Sequence, residues 1–288
     1  MHGTGVPLLT PFDDEGNLQE TDLRELVAWV EDRGVDFIVP CGSNSEAELM
    51  SVEERNRVTE IVADESDVPV LAGTGHPGLR ETLRQTNLAA EAGADAALVV
   101  TPFYFSHDDD TWIDYYRTVA DESPVPVYLY SVPAYTDVAL SPEVVGELAD
   151  HENIAGMKDS SGDLTRLQRE RARTEDADFN LLVGSGSIYA AGLDAGADGG
   201  VLALANVAPE RASEIYRLQQ GGHDEQARQL NAQLIELNRA ITAQYGVPGA
   251  KAVMQARGAP AGAPRRPHHP VSSSVREELE ELAQAAEH

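Results

Sequence analysis

Eight short, largely apolar runs recur along the chain with segments of helical spacing between them, and together they predict a (β/α)8 barrel with additional carboxy-terminal helices. A further observation removes the rival fold: no G-x-G-x-x-G fingerprint follows any of the runs, as a doubly wound dinucleotide-binding sheet would require. With 288 residues and 42% hydrophobic side chains, the chain can bury a large core as one α/β domain.

In chain order the runs are GVPLLTPF (5–12), VDFIVPCGS (35–43), PVLAGTG (69–75), AALVVTPFY (96–104), PVYLYSVP (126–133), IAGMKDSS (154–161), NLLVGSG (180–186) and GGVLALANV (199–207). None alternates strictly, as expected for parallel strands covered on both faces. Between them ETDLRELVAWVEDRG (20–34), SVEERNRVTEIVADE (51–65), LRETLRQTNLAAEAG (79–93) and LSPEVVGELADH (140–151) carry helical spacing, several with Ser, Thr or Asp in a capping position. After the eighth run come PERASEIYRLQQ, a long GHDEQARQLNAQLIELNRAITAQYG and a final VREELEELAQAAE, all helical in pattern, with RGAPAGAPRRPHHP (257–270) as a loop. The organisation expected is a barrel over 1–220 and a helical extension over 221–288 packed on it.

Acidic residues number 49 against 21 basic ones, a formal charge of −28 spread over the whole sequence. Nucleic acid is thereby excluded as an expected partner, because phosphate binding needs a positive surface. Only two lysines occur, Lys158 and Lys251. An acidic chain nearly free of lysine fits the cytosol of a halophile, where salt screens self-repulsion. The start MHGTGVPLLTPF lacks the pattern of a signal peptide, and no apolar stretch is long enough for a membrane span, so a cytoplasmic protein is expected. The single cysteine, Cys41, rules out an internal disulfide and reads as a small buried residue at a strand end.

Barrel chemistry sits at the carboxyl ends of the strands, so the residues closing each run are the candidates. They are rich in hydroxyls, glycines and tyrosines, and contain no cluster of carboxylates and histidines at ligand spacing; neither metal nor cofactor is expected. Lys158 leads, because an amine buried at a barrel mouth is suited to Schiff-base formation: desolvation disfavours the ammonium and releases the nucleophile. Tyr130 closes the neighbouring strand and either offers a phenol that can carry a proton or plugs the barrel mouth as an amphipathic side chain. The GSNSE stretch (42–46) presents N–H groups, hydroxyls and an amide suited to a carboxylate, or simply turns the chain. Tyr104, read as the end of the fourth strand, serves as packing, contact surface or proton relay. The glycines of GSGS and GADGG either cradle a phosphate after strands seven and eight or make tight turns. Lys251 reads as structural, the pair His268 and His269 as loop residues without metal, and Asp108 to Asp110 as a solvated helix start.

Three strand-end motifs together resemble the dihydrodipicolinate synthase/N-acetylneuraminate lyase superfamily: G-x-x-x-E at Gly42–Glu46, Y-x-V-P at Tyr130–Pro133 and G-x-K-D at Gly156–Asp159. The resemblance runs from Val6 to about Gly258 and includes the opening TPF, the TPFY strand end and ANVAPE. It implies a metal-free class I enzyme that binds a pyruvate unit as an imine on Lys158, with Tyr130 as proton carrier and Ser43 and Asn44 on the substrate carboxylate. It also implies that the backbone carbonyl of Val201 faces the lysine, that Tyr104 serves a neighbouring subunit's site, and that the protein is a homotetramer acting on a small 2-keto acid. Where the lysine-pathway synthase carries an arginine two residues after this motif, Tyr135 stands here, and Ser131 replaces an asparagine. The pattern is more similar to archaeal 2-keto-3-deoxygluconate aldolases of Entner-Doudoroff sugar breakdown, free or 6-phosphorylated substrate being open. The expected reaction is cleavage to pyruvate and (phospho)glyceraldehyde; the alternative is 4-hydroxy-tetrahydrodipicolinate synthase, condensing pyruvate with aspartate semialdehyde.

Overall fold

The computed structural model describes residues 1–286. Among them, eight parallel strands form one sheet: β1 (Gly3–Val6), β2 (Phe37–Ile38), β3 (Leu71–Gly73), β4 (Ala96–Val100), β5 (Val127–Ser131), β6 (Ile154–Asp159), β7 (Asn180–Val183) and β8 (Gly199–Val201). Their order, β2-β1-β8-β7-β6-β5-β4-β3, runs almost full circle. The remaining seam, between β2 and β3, is held by one parallel bridge, Ile38 with Val70, and by the Gly73 N–H donating to Pro40 O at 2.9 Å. This is the nearly closed (β/α)8 barrel that the sequence predicts.

Seven of the eight runs contain their strand, β1 beginning two residues before its run, and all of them overshoot it at the carboxyl end. The apolar character outlasts the ladder because residues leaving the sheet still bury themselves: Leu8 and Leu9, past the end of β1, are as enclosed as the strand itself. Tyr104 is corrected on this point. β4 ends at Val100, Pro102 has no N–H to extend the ladder, and Tyr104 lies four residues on, in a loop with φ +84°.

The expected helices form at Glu20–Glu31, Val52–Glu65, Leu79–Glu91 and Pro142–Ala149. Ser51 and Glu54 cap the second reciprocally, hydroxyl to N–H and carboxylate to N–H. Asp108 caps helix Asp109–Glu122 through the Thr111 N–H, as expected of a solvated start. Two cores result. One lies between sheet and helices; the other fills the barrel with Phe37, Leu98, Tyr128, Tyr130, Leu182 and Val201. Alternation sorts them: Tyr128 and Tyr130 of β5 point in, Val127 and Leu129 out.

After helix Pro209–Gln220 the chain departs from expectation. The long segment read as one helix is divided into Asp224–Gln233, Ile235–Arg239 and a π-helical stretch, Ala240–Gln244. The Thr242 hydroxyl bonds back to Asn238 O at 2.6 Å, competing with the helical ladder where it widens. Helices Gly246–Ala256 and Ser273–Ala286 follow; the last two residues of the expected extension lie outside the described residues. Among the described residues, no helix is long and apolar enough to cross a membrane.

Candidate active site

Tyr130 and Lys158 are register partners on the adjacent strands β5 and β6, so both side chains enter the barrel mouth at one level. The Lys158 ammonium sits 4.3 Å from the Tyr130 ring centroid, and each residue is only 5% exposed. Gly156, one inward position below the lysine, explains how they fit. A Cβ there would lie 2.4 Å from both the Tyr128 ring and Asn180 O, so the missing side chain lets Tyr128 floor the site. A second close approach needs Gly184, whose Cβ would fall 1.9 Å from Ser160 Oγ at the mouth.

An open cavity of about 400 Å³ covers this pair, and Ser43, Asn44 and Val201 also line it. Five of the six expected site residues are thus brought together. Tyr104 is not among them; it projects from its loop at 88% exposure, stacked edge-on against Phe105. Ser43 and Asn44 sit in a 3₁₀ turn, Ser43–Ser45, held from behind by the Ser45 hydroxyl donating to Leu8 O. Ser185 and Gly186 of the GSGS stretch reach the cavity, whereas Gly199 and Gly200 of GADGG are part of β8 and do not follow it, which corrects the expected placement of that stretch.

Lining residues that sequence reasoning missed come from the carboxy-terminal extension: Ile241, Thr242, Gly246 and Val247 roof the cavity. A second cavity of about 420 Å³ adjoins the first, sharing Ser43, Val132, Tyr135, Gly246 and Val247 with it. His268 lines this second cavity from the loop 257–270. Among the described residues lining the two cavities, Lys158 is the one lysine, and none is an arginine.

Asp159, next to the lysine in sequence, points the other way and does not serve the site. Burial raises its carboxyl pKa, opposed by the bonds it accepts from the Ser161 N–H and hydroxyl. Burial, and then the charge of Asp159, push Glu170 behind it up to about 9. Cys41 is buried, its thiol also raised by burial and directed at Arg55 O. Among the described residues no group of three or more His, Cys, Asp or Glu is arranged to hold a metal ion.

A model of the dihydrodipicolinate synthetase family matches residues 1–286. The chain is 38% identical to a 4-hydroxy-tetrahydrodipicolinate synthase of Methanothrix thermoacetophila, over 98% of this chain and 96% of the relative. It is 37% identical to an uncharacterized DapA-like lyase of Halobacterium salinarum, over 97% and 92% respectively. Its fold superposes on the chloride-inhibited dihydrodipicolinate synthase of Acinetobacter baumannii complexed with pyruvate, with TM-score 0.94, 29% identity and 99% coverage of each chain. YagE of E. coli K12, of the dihydrodipicolinic acid synthase family and also crystallised with pyruvate, gives TM-score 0.94 at 28% identity, covering 100% of this chain and 99% of that one. Full-length matches in sequence and in fold therefore agree with the three strand-end motifs, and the chain belongs to the dihydrodipicolinate synthetase family.

Proposed function

We propose that the protein is a class I aldolase that cleaves a 2-keto-3-deoxy sugar acid to pyruvate and an uncharged hydroxyaldehyde, glyceraldehyde. The observation that carries this reading is the buried Lys158–Tyr130 pair in a cavity whose far side offers no arginine to an anionic aldehyde. A phosphate or second carboxylate on the distal arm would lack the charge-assisted partner such groups ordinarily take. This favours the free over the 6-phosphorylated acid.

The neutral Lys158 amine attacks the C2 carbonyl and water leaves, giving an iminium. Tyr130 gives its phenolic proton to the departing water in that step, so that when the C3–C4 bond breaks, with its electron pair moving toward the iminium nitrogen, the C4 hydroxyl proton passes to the phenolate oxygen as the aldehyde forms. Protonation of the enamine at C3 and hydrolysis release pyruvate and the lysine. No step calls on a metal or cofactor. Ser43 and Asn44 hold the carboxylate through side chains and N–H groups, and the Val201 carbonyl faces the lysine. Tyr104, too far out to serve its own cavity, completes a neighbour's site in a homotetramer. The acidic surface suits the cytoplasm of a halophile, an environment consistent with the Halobacterium relative.

A second reading has its own support: several of the similar proteins are named 4-hydroxy-tetrahydrodipicolinate synthase, which points to condensation of pyruvate with aspartate semialdehyde in the lysine pathway and speaks for this alternative more directly than for the sugar acid. Borohydride reduction with pyruvate tests what the two share, a pyruvyl mass on Lys158 that Lys158→Ala abolishes. Side-by-side turnover with glyceraldehyde and aspartate semialdehyde then separates them. Faster reaction with the semialdehyde overturns the sugar-acid reading.

A further inference from the structure

The second lysine occupies a place as enclosed as the first. Lys251, on helix Gly246–Ala256, is 1% exposed, and its ammonium meets three acceptors: Thr10 O and Ala263 O at 2.8 Å and the Glu46 carboxylate at 2.5 Å. Burial lowers its pKa, and the charge of Glu46 opposes the shift.

Glu46 ends the GSNSE stretch. Its backbone is left-handed, with φ +58°, a conformation costly for a residue with a side chain, and it persists only where the surroundings impose it. The surroundings do so here. One carboxylate oxygen takes Lys251, the other accepts the Arg265 backbone N–H at 2.7 Å, and the Arg265 guanidinium is itself paired through Nη1 and Nη2 with Glu54. The preceding residue, Ser45, is bonded to Leu8 O, two residues before the Thr10 carbonyl that Lys251 holds. The turn bearing Ser43 and Asn44 is thus fastened to the tail of β1, to helix Gly246–Ala256 and to the loop 257–270.

We infer that Lys251 is a positioning residue for the reaction: its ion pair with Glu46 fixes the Gly42–Glu46 turn so that Ser43 and Asn44 meet the substrate carboxylate. The inference rests on the proposed reading of that turn. It explains why a lysine survives at this position in a chain whose other nineteen basic residues outside Lys158 are arginines. Three acceptors converging on a sealed point suit a compact tetrahedral ammonium; a planar guanidinium fork is too wide and would leave donors unpaired.

The test measures the pyruvate concentration that half-saturates borohydride labelling of Lys158. Replacing both partners, Lys251→Met with Glu46→Gln, leaves no unpaired buried charge, so the fold is kept. Glu46→Asp keeps both charges and withdraws the carboxylate by one methylene, a second route should the double variant not fold. In either variant half-saturating pyruvate rises by about tenfold, the loss of one well-placed contact, while labelling at saturating pyruvate proceeds at the wild-type rate. Leu23→Ala, a core truncation in the outer helix Glu20–Glu31, lowers Tm without moving half-saturation. Half-saturation within about twofold of wild type in a folded variant, or an equal rise in Leu23→Ala, overturns the inference and leaves the imine reading standing. A wild-type protein that takes no label removes both.

Discussion

Glu170 gives a prediction whose size and sign follow from its burial. It stands on helix Leu164–Arg173, fully enclosed, with neither carboxylate oxygen hydrogen-bonded and the buried Asp159 nearby. Unfolded, the carboxyl loses its proton near the ordinary 4.5; folded, it keeps it until about 9. Between those values only the unfolded chain has released the proton, so raising the pH favours unfolding by about 1.4 kcal/mol per pH unit. The stability associated with the neutral acid is complete below pH 4.5 and is lost progressively toward pH 9. Glu170→Gln does not titrate. From pH 5.5 to 7.5 the variant should therefore gain about 3 kcal/mol on the wild type, roughly 5 °C in relative Tm. The amide inherits unpartnered polar atoms, a penalty of about 1–3 kcal/mol that is the same at both pH values, so the slope and not the offset is the readout. Urea unfolding of both proteins at several pH values measures it. A stability difference that does not change with pH refutes the buried neutral acid.

Three other substitutions probe the site and its floor. Tyr130→Phe keeps the ring beside Lys158 and removes the proton carrier, so kcat should fall by about 10²–10⁴ while borohydride still traps the pyruvyl adduct; parallel loss of trapping shows instead that the phenol is needed for imine formation. Gly156→Ala drives a Cβ into the Tyr128 ring and a backbone oxygen, and should lower stability by at least the roughly 1–3 kcal/mol of ordinary overpacking, measured by denaturant unfolding. Tyr135→Arg places a cation where the two cavities meet and should shift relative turnover toward an anionic aldehyde by about tenfold or more, a ratio obtained from paired assays.

The barrel was legible because strands covered on both faces must be apolar throughout, and their number and spacing leave few closed arrangements. Strand ends were not, since Leu8 and Leu9 stay buried after the ladder stops and carry no mark of having left it. In the extension, helical periodicity runs unbroken through LNAQLIELNRAITAQ, and the Thr242 back-bond that opens it is a matter of local geometry that periodicity does not register. The roof that Ile241 and Val247 set over Lys158 depends on how that broken segment returns across the mouth, a contact between residues more than eighty positions apart. Glu170 left a fainter trace: it follows Leu164 and Leu167 at helical spacing, so a carboxylate occupies the apolar stripe.

Composition proved more informative about the site than any single motif, for a reason that lies in the chemistry of the two basic side chains. Arginine can replace lysine wherever a positive charge on a solvated face is all that is required, and the nineteen other basic residues of this chain are all arginines. It cannot do so where the reaction needs a primary amine that gives up its proton and forms an imine, nor where acceptors converge on one enclosed point. Lys158 has the surroundings for the first and Lys251 for the second, with 5% and 1% exposure. The two substitutions by arginine should then fail differently. Lys158→Arg should fold and take no pyruvyl label, because a guanidinium is not a nucleophile at neutral pH; Lys251→Arg should still label at Lys158 but unfold at lower denaturant, because its fork does not fit among Glu46, Thr10 and Ala263. Equal labelling and equal unfolding midpoints in both variants would mean that the scarcity of lysine singled out these positions by chance.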